Sequence, residues 1–485
     1  MTLNKKLASR SYDKNVAYLK EELAVDKSFD LILLELEFHG LRMAIFVVDA
    51  FAKDMSLTQI QRELSKLKAE DLTGDVVKTL VKSKIPYIEL ETETDLNEIV
   101  IQVLSGPAAL VVDGSSEVIL IDTREYPIRG PEEPDTEQVI RGARDGFVET
   151  VVFNTGLIRR RVRDKSLRNE YIRVGVRSHT DMCITYMEDL ADAKLVKYIR
   201  TALEKIETDG LPMGDKTLEE FIFGQHMNPY PLVRYTERPD VAASHLFEGH
   251  VLIVVDGSPS VIISPTTFWH HLQHAEEYRQ KPVIGSALRL VRFLAVWVSI
   301  FLLPLWYLLA KNPNLLPAQL DYIGIEDAGR LPLIIQFLIA ESGIEMLRMA
   351  AIHTPSALAT ALGLVAAILI GEVAIEVGLF SYEVVLYLAV SVVGSFATPS
   401  YEMGLANRLV RVMLLIIVSV FNVPGFVFGI AMLLILLTSM RVFETPYFWP
   451  FIPFQWKGAR DVILRAPMPL KNRRPRAIHP ADPDR

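Results

Sequence analysis

The hydrophobic pattern divides the chain into a charged front part and an apolar back part that begins near residue 287. In the front part, short runs of Val, Ile, Leu and Phe alternate with charged helical stretches, which is typical of an α/β fold. In the back part, long apolar runs with few charges predict membrane helices. We therefore expect an α/β cytosolic domain followed by an all-α polytopic membrane domain.

Two segments of the front part resemble each other. Residues 109–122 (ALVVDGSSEVILID) and 252–264 (LIVVDGSPSVIIS) each contain two β-branched runs joined by Asp-Gly-Ser, and Asp113 precedes Asp256 by 143 positions. This pattern is typical of a β-hairpin. An aspartate at such a turn usually serves turn geometry rather than chemistry. The repeat predicts two related α/β subdomains; the alternative is that Asp-Gly hairpins between such strands are simply common.

A basic cluster ends the segment that follows the first hairpin. Residues 138–163 have the apolar spacing of an amphipathic helix, broken near 154–156, and end in Arg159, Arg160 and Arg161. One interpretation is contact with anionic lipid headgroups or an acidic partner surface. The other is a solvated, salt-bridged helix end that the helix dipole favours.

The first apolar runs of the back part differ in length. Residues 290–310 form a 21-residue run with one charge, which is long enough to span a hydrocarbon core of about 30 Å. Residues 331–340 are too few to span. We interpret them as an interfacial or re-entrant helix, or as one that lines a cavity with its acidic residues facing inward.

Three further runs complete the apolar part. Residues 354–371 continue into Glu372 and Glu376, and residues 384–398 are rich in small side chains that allow close helix packing. Residues 409–440 form a 32-residue run with Asn-Val-Pro-Gly in the middle. Because that tetrapeptide is a turn signal, we favour a tight helical hairpin. The total is five or six membrane elements.

The charge pattern orients the chain. Basic residues cluster before the first apolar run, and the tail from residue 457 has eight Lys or Arg against three Asp. By the positive-inside rule, both the front part and the tail are cytoplasmic. The predicted domains are subdomain 1 (1–125), a helical connector with subdomain 2 (126–285), the transmembrane domain (286–445) and a basic cytosolic tail (446–485).

Acidic residues recur among the predicted membrane elements. Ionisable side chains inside a membrane are costly unless they face protein or water, so they predict a cation path or selectivity lining. The alternative is that some of them lie past the membrane edge. The candidate residues are Glu341, Glu345, Glu372 and Glu376.

Composition and motifs exclude several other functions. The net charge of −8 gives no indication of nucleic-acid binding, and one cysteine permits no intrachain disulfide. The N-terminus lacks the apolar core of a signal peptide. No acidic residue lies between His270, His271 and His274 as in a metalloprotease helix, and no cysteine lies nearby, so a zinc site is not favoured. The front half contains no nucleotide-binding or nucleophile motif, so we expect no enzyme activity, no cofactor and no metal.

Several motifs together resemble the A subunits of spore germinant receptors, the GerA family. They cover nearly the whole chain from about residue 30 and occur in family order: 129–131 (RGP), 144–149 (RDGFVE), 154–161 (NTGLIRRR), 345–348 (EMLR), 371–378 (GEVAIEVG), 395–401 (SFATPSY) and 446–447 (PY). Many receptor subunits carry Gln where this chain has Glu372, and residues 352–359 depart from the receptor pattern as well. These departures resemble a branch of the family other than the nutrient receptors.

The resemblance implies a protein of the spore inner membrane with a two-part cytoplasmic N-terminal domain. It implies a homo-oligomeric, pentameric ion channel that releases monovalent cations during germination, with a FigP-like partner membrane protein and an amplifying role. From the residues alone, two alternatives stay open. One is a secondary transporter, indicated by the broken segment at residues 422–425, and the other is a non-conducting membrane sensor or scaffold.

Overall fold

The computed structural model describes residues 5–484 except 27–30, 53, 73, 86, 88, 125–129, 135–136, 225–226, 327–328 and 354–371. The chain divides into two compact units: Met1–Gly130 with Val176–His179, and Pro131–Gly175 with Thr180–Arg485. Each unit contains one five-stranded antiparallel sheet.

The first unit packs helices on both faces of its sheet, whose strand order is β1-β2-β4-β5-β3. One face is covered by α1 and α4 and the other by α2 and α3, because the central strands carry apolar side chains on both sides. The elements are α1 (Tyr12–Glu22), β1 (Leu31–Phe38), β2 (Leu41–Val48), α2 (Asp54–Leu64), α3 (Val76–Thr79), β3 (Leu90–Glu93), α4 (Leu96–Leu104), β4 (Ala108–Val112) and β5 (Val118–Ile121).

The sheet of the second unit has the order β6-β7-β9-β10-β8, which is the same arrangement as in the first unit. Its two apolar cores, one on each face, are formed with α5 and α8 and with α6 and α7. The elements are α5 (Val151–Arg161), β6 (Leu167–Val174), β7 (Thr180–Met187), α6 (Ala193–Glu204), α7 (Asp215–Phe223), β8 (Arg234–Thr236), α8 (Pro239–Leu246), β9 (Val251–Val255), β10 (Val261–Ser264) and α9 (Ala275–Arg279).

The two Asp-Gly hairpins also have matching backbone contacts. The Asp113 amide donates to the Arg42 carbonyl at 3.0 Å, and the Asp256 amide donates to the Asp181 carbonyl at 2.9 Å. The glycines that follow have φ of +81° and +82°, a left-handed conformation that glycine adopts without strain. The sheets therefore share strand order and hairpin geometry, as the sequence repeat predicts.

The helix predicted over residues 138–163 is shorter than expected. Helix α5 begins only at Val151 and runs through residues 154–156 without a break. The buried Asn154 side chain accepts from the Val148 amide at 2.8 Å and donates to the Val148 carbonyl at 2.5 Å, while the Phe147 amide donates to the Glu237 carbonyl. These tertiary hydrogen bonds satisfy a non-helical backbone, so apolar spacing alone placed the helix start wrongly.

The C-terminal part of the second unit is helical. Among the described residues, two helices, α10 and α14, are long and apolar enough to cross a membrane by length and composition. The predicted run 354–371 lies outside the described residues. The elements are α10 (Pro282–Lys311), α11 (Leu333–His353), α12 (Ala374–Glu376), α13 (Tyr382–Phe396), α14 (Tyr401–Ser439), β11 (Arg441–Val442), β12 (Thr445–Pro446) and α15 (Trp456–Ile463).

Helix α14 folds back on itself at Asn422. This residue has non-helical angles, φ 52° and ψ −131°. A Cβ on Gly425 would lie 2.7 Å from the Ile417 carbonyl oxygen, and one on Gly429 would overlap the Leu414 side chain. Positions 414 and 429 would be about 22 Å apart on one straight helix. The two arms are therefore antiparallel, which confirms the predicted helical hairpin.

Helix α11 corrects the expectation for residues 331–340. Eight of the ten residues form its first part, and the helix runs for 21 residues in all, from Leu333 through Glu341 and Glu345 to His353. Both glutamates pair with arginines of α14, so the helix extends past the apolar run with these charges neutralised.

Candidate functional site

A buried ion pair connects α11 with the first arm of α14. Arg411 is fully buried and Glu341 is 5% exposed. Arg411 Nη2 donates to Glu341 Oε2 at 2.9 Å, and Nε approaches Oε1 to 2.7 Å without hydrogen-bonding geometry. Two charges can be buried at tolerable cost only when each neutralises the other, and this pair meets that condition.

The same guanidinium connects two further helices. Arg411 Nη1 donates to the Ser299 carbonyl of α10 at 2.8 Å, and to the Ser391 and Ser395 hydroxyls of α13 at 3.0 and 3.2 Å. The approach is close because Gly394 has no side chain; a Cβ there would lie 2.6 Å from the Ala295 carbonyl oxygen. Arg411 thus bridges four helices with one planar set of donors.

A second, less buried group of charges lies one helical turn along α11. Arg348 Nε donates to both Glu345 oxygens at 3.1 and 3.2 Å. Arg408 of α14 also pairs with Glu345, and Arg348 contacts the Tyr401 hydroxyl. Residues 341 and 345 therefore lie on one face of α11, as their four-residue spacing requires, and both are paired with arginines.

The other two predicted acidic residues are in a different environment. Glu372 and Glu376 are exposed, and Glu376 is the last residue of α12, directly before a turn at Gly378 with φ +71°. The helix predicted to lead into them, residues 357–371, lies outside the described residues. The four predicted residues thus form one paired set and one exposed set, and their role in an ion path stays a prediction.

The predicted basic cluster is divided between two kinds of contact. Arg161 Nη2 donates to both Asp145 oxygens at 2.5 and 2.6 Å, while Arg159 donates to the Asp164 and Leu167 carbonyls. Arg160 is exposed. The contacts of Arg159 and Arg161 stabilise the end of α5, and contact with lipids or a partner stays a prediction.

Arg411 and Asn407 are the residues that sequence reasoning missed. A single arginine within a 32-residue apolar run was the available signal, because a charge in such a run marks a functional or structural contact. Asn407 is fully buried, and within the described residues its amide nitrogen and oxygen have no hydrogen-bond partner. Among the described residues, no three or more His, Cys, Asp or Glu side chains lie together in a group that could hold a metal ion.

Sequence comparison identifies the family. Residues 17–477 match the family model described as Bacillus/Clostridium GerA spore germination protein. The chain belongs to this family. It is 47% identical over 471 residues to the stage V sporulation protein AF of Bacillus subtilis (strain 168), covering 97% of this chain and 96% of that protein. It is 30% identical over 386 residues to the uncharacterized membrane protein YfkQ of the same organism, covering 79% and 75%.

A solved structure is also similar in sequence. It is the N-terminal domain of the A subunit of the Bacillus megaterium spore germinant receptor GerK3, at 23% identity over 55% of this chain and 99% of that chain, with a TM-score of 0.23. That score is too low to compare folds, so family membership rests on sequence. The similarity to the sporulation protein confirms the branch that Glu372 and residues 352–359 indicated.

Proposed function

We propose that this GerA-family protein is a membrane subunit of a spore germination complex, and that it forms an oligomeric channel for monovalent cations. Family membership supports the germination role. Two apolar helices and a relative whose name describes a membrane protein support a membrane location. We place the protein in the spore inner membrane with a cytoplasmic N-terminal domain, with a second membrane protein and lipids as partners.

The exposed pair Glu372 and Glu376 carries the channel proposal. These carboxylates follow an 18-residue apolar run, 354–371, and they are exposed in the single chain. In a closed ring, equivalent glutamates from each copy would form a ring of negative charge, which attracts cations and disfavours anions. An oligomer is therefore part of the proposal.

The ion-paired residues Glu341 and Glu345 have a structural role in the proposed channel. A carboxylate that is already neutralised by a guanidinium attracts a passing cation weakly, since the pair has little net charge. Glu341 and Arg411 instead fix α11 against α10, α13 and α14. We accordingly assign the ion path to Glu372 and Glu376, and assign Glu341 and Glu345 to holding the helices that surround it.

The test is cation flux through the full-length protein in potassium-loaded vesicles. Wild type should release potassium, and Glu372→Gln should lower the rate or the preference for cations over anions. Glu220→Gln, at an exposed glutamate of α7, is the matched control and should leave both unchanged. Equal flux and selectivity in wild type and Glu372→Gln would exclude residue 372 from the path.

The same measurement separates the alternatives. No flux from wild type, even with the germination partner added, would favour a sensor or scaffold. A saturable flux at carrier rates would favour a secondary transporter, which the helical hairpin at Asn422 also permits.

A further inference from the structure

A second surface lies where the helical part meets the C-terminal tail. It consists of residues 448–464 (FWPFIPFQWKGARDVIL), which include α15, and it is called the C-terminal collar below. Only a short hairpin, β11-β12, separates the end of α14 at Ser439 from the start of the collar. It carries exposed aromatic and basic side chains that nothing in the proposed channel uses.

The collar is held against the start of α10. Arg289 Nη1 donates to the Asp461 and Val462 carbonyls, both at 2.9 Å, and its Nε donates to the buried Glu277 at 2.8 Å. The Arg465 amide donates to the Ser286 hydroxyl at 3.0 Å. These contacts fix α15 beside the first turns of a helix that is long and apolar enough to span a membrane.

An aromatic cluster connects the collar with α10 from a second direction. The Trp269 ring lies 4.7 Å from Phe451, 5.5 Å from Phe448 and 5.5 Å from Phe293 of α10, measured between ring centroids. The collar, which closely follows the end of α14, therefore packs beside the N-terminal half of α10. With α10 and α14 crossing the membrane as proposed, the collar lies at the membrane surface.

The outer face of the collar is apolar. Phe454 is 66% exposed and Trp456 is 69% exposed, and the neighbouring Ile452 is 48% exposed. Adjacent exposed aromatic side chains are unfavourable in water and mark an interaction surface. Tryptophan is enriched at the interface between membrane and water, and tryptophan and phenylalanine form the apolar face of segments that lie in this interface.

Basic side chains lie on and beside the collar, beginning with Lys457 directly after Trp456. A cleft of about 550 Å³ beside the collar is lined by six basic and two acidic residues: Lys457, Arg460, Lys471, Arg473, Arg474 and Arg476, with Glu248 and Asp461. Lys471 pairs with Glu248 and Arg474 with Asp482, and Arg460 and Arg473 form more exposed pairs with Asp461 and Asp484. Lys457, Arg460, Arg473 and Arg476 remain exposed at the surface, where the excess of positive charge favours an anionic ligand.

We propose that the collar is an interfacial contact site for anionic phospholipids. Phe454 and Trp456 enter the headgroup region, and Lys457, Arg460 and Arg476 bind lipid phosphates. The combination of an apolar face and adjacent basic residues is the one that binds the surface of an anionic membrane. The inference rests on the membrane location proposed above and not on ion conduction.

The single cysteine of the chain makes a direct test possible. Cys183 is buried, so Trp456→Cys introduces one accessible thiol for an environment-sensitive fluorophore. The full-length protein is placed in phosphatidylcholine vesicles with or without phosphatidylglycerol, using lipids that carry a quencher near the headgroup. We expect a blue shift and quenching that increase with phosphatidylglycerol. Phe454→Cys provides a second labelling site should the first variant fail to fold.

Control variants distinguish contact between the collar and the lipid from effects of labelling or of lost charge elsewhere in the protein. A label at Met213→Cys, 73% exposed in the loop before α7, should show neither change. Lys457→Gln with Arg460→Gln should reduce the phosphatidylglycerol-dependent quenching, because each lost positive charge weakens the attraction to the anionic surface. The control is Lys197→Gln with Lys205→Gln, which removes the same charge at an exposed residue of α6 and at the exposed residue that follows this helix. It should leave the quenching unchanged.

Three results would overturn the proposal. One is a collar label that stays as water-exposed as the Met213 label in phosphatidylglycerol vesicles. Another is a blue shift produced by inorganic phosphate in detergent without lipid, which would assign the cleft to a free anion. The third is a shift that depends on protein concentration and not on lipid, which would assign the collar to a second copy. Flotation of the vesicles tests the membrane location separately, since a protein that does not float refutes that location itself.

Discussion

Arg411 and Glu341 form an ion pair between two helices, with side chains that are 0% and 5% exposed. They are 70 positions apart in the sequence. Because Arg411 also bonds to Ser299, Ser391 and Ser395, removing either charge should disturb the packing of four helices.

Glu341→Gln leaves Arg411 buried without a counter-charge. Breaking a buried pair costs about 3–5 kcal/mol, so we expect a clear fall in the thermal unfolding temperature of the detergent-solubilised protein. The double variant Glu341→Leu with Arg411→Met should recover part of the loss, because it removes both charges and keeps apolar volume. Glu402→Gln, at a less buried glutamate of α14, serves as the control, and a double variant no more stable than Glu341→Gln would contradict this explanation.

Gly429 should be intolerant of a side chain. Its missing Cβ is what allows the two arms of α14 to approach at Leu414, so Gly429→Ala should lower the unfolding temperature. Leu414→Ala in the same chain should restore part of it by making room. In Gly404→Ala the nearest atom to the new Cβ is 3.9 Å away, and this substitution should be neutral or stabilising by up to about 1 kcal/mol. Equal effects at both glycines would argue against close packing of the arms.

Asp256 caps a distant helix. Its Oδ1 accepts a hydrogen bond from the amide of Val151, the first residue of α5, at 2.9 Å. Asp256→Ala should therefore lower the free energy of unfolding by about 1 kcal/mol. Asp113 is the equivalent residue of the first hairpin, but it pairs with a half-exposed Arg42. Asp113→Ala should cost less than about 1 kcal/mol, and thermal unfolding of both variants checks the difference.

Buried histidines should make the second unit sensitive to acid. His250 is fully buried, with its ring centroid 4.8 Å from His245 and 5.2 Å from His270. Burial lowers the pKa of His250 to about 4, although nearby Glu248 acts in the opposite direction and Arg234 and Lys471 add to the lowering. Burial by itself would raise the pKa of Glu248, but Lys471, at 2.7 Å, lowers it to about 2, so this carboxylate stays ionised in the relevant range.

Proton binding by His250 in the unfolded state determines whether stability rises or falls with pH. Unfolded His250 takes up a proton near its ordinary pKa of about 6.5, and the folded state resists it. The stability present above this pH is therefore lost as the pH falls from about 6.5 towards 4, by about 1 kcal/mol at pH 5.5 for this one residue. His250→Gln should reduce the difference in unfolding temperature between pH 7.5 and 5.5. His479 is exposed, so His479→Gln should leave this difference unchanged. An unchanged difference in His250→Gln would contradict a role of His250 in the acid sensitivity.

Local patterns determined a large part of this structure. The paired β-branched runs around Asp113 and Asp256 predicted both hairpins, because a two-residue periodicity and a turn signal act over a few neighbouring residues. The Asn-Val-Pro-Gly turn signal that begins at Asn422 similarly predicted where α14 reverses direction. Motifs distributed along the chain were sufficient to indicate the family, which sequence comparison then showed.

Tertiary structure decided what depends on partners far along the chain. The apolar pattern placed the start of α5 near residue 138, but the side chain of Asn154 and the carbonyl of Glu237 hold that backbone in a non-helical form. Similarly, the apolar pattern predicted that Glu341 and Glu345 lie within the helical part, but it did not show that Arg411 and Arg408 of another helix pair with them. The sequence shows that a charge is present in an apolar helix, but the free energy of burying it depends on its counter-charge, and only the fold brings that residue into contact.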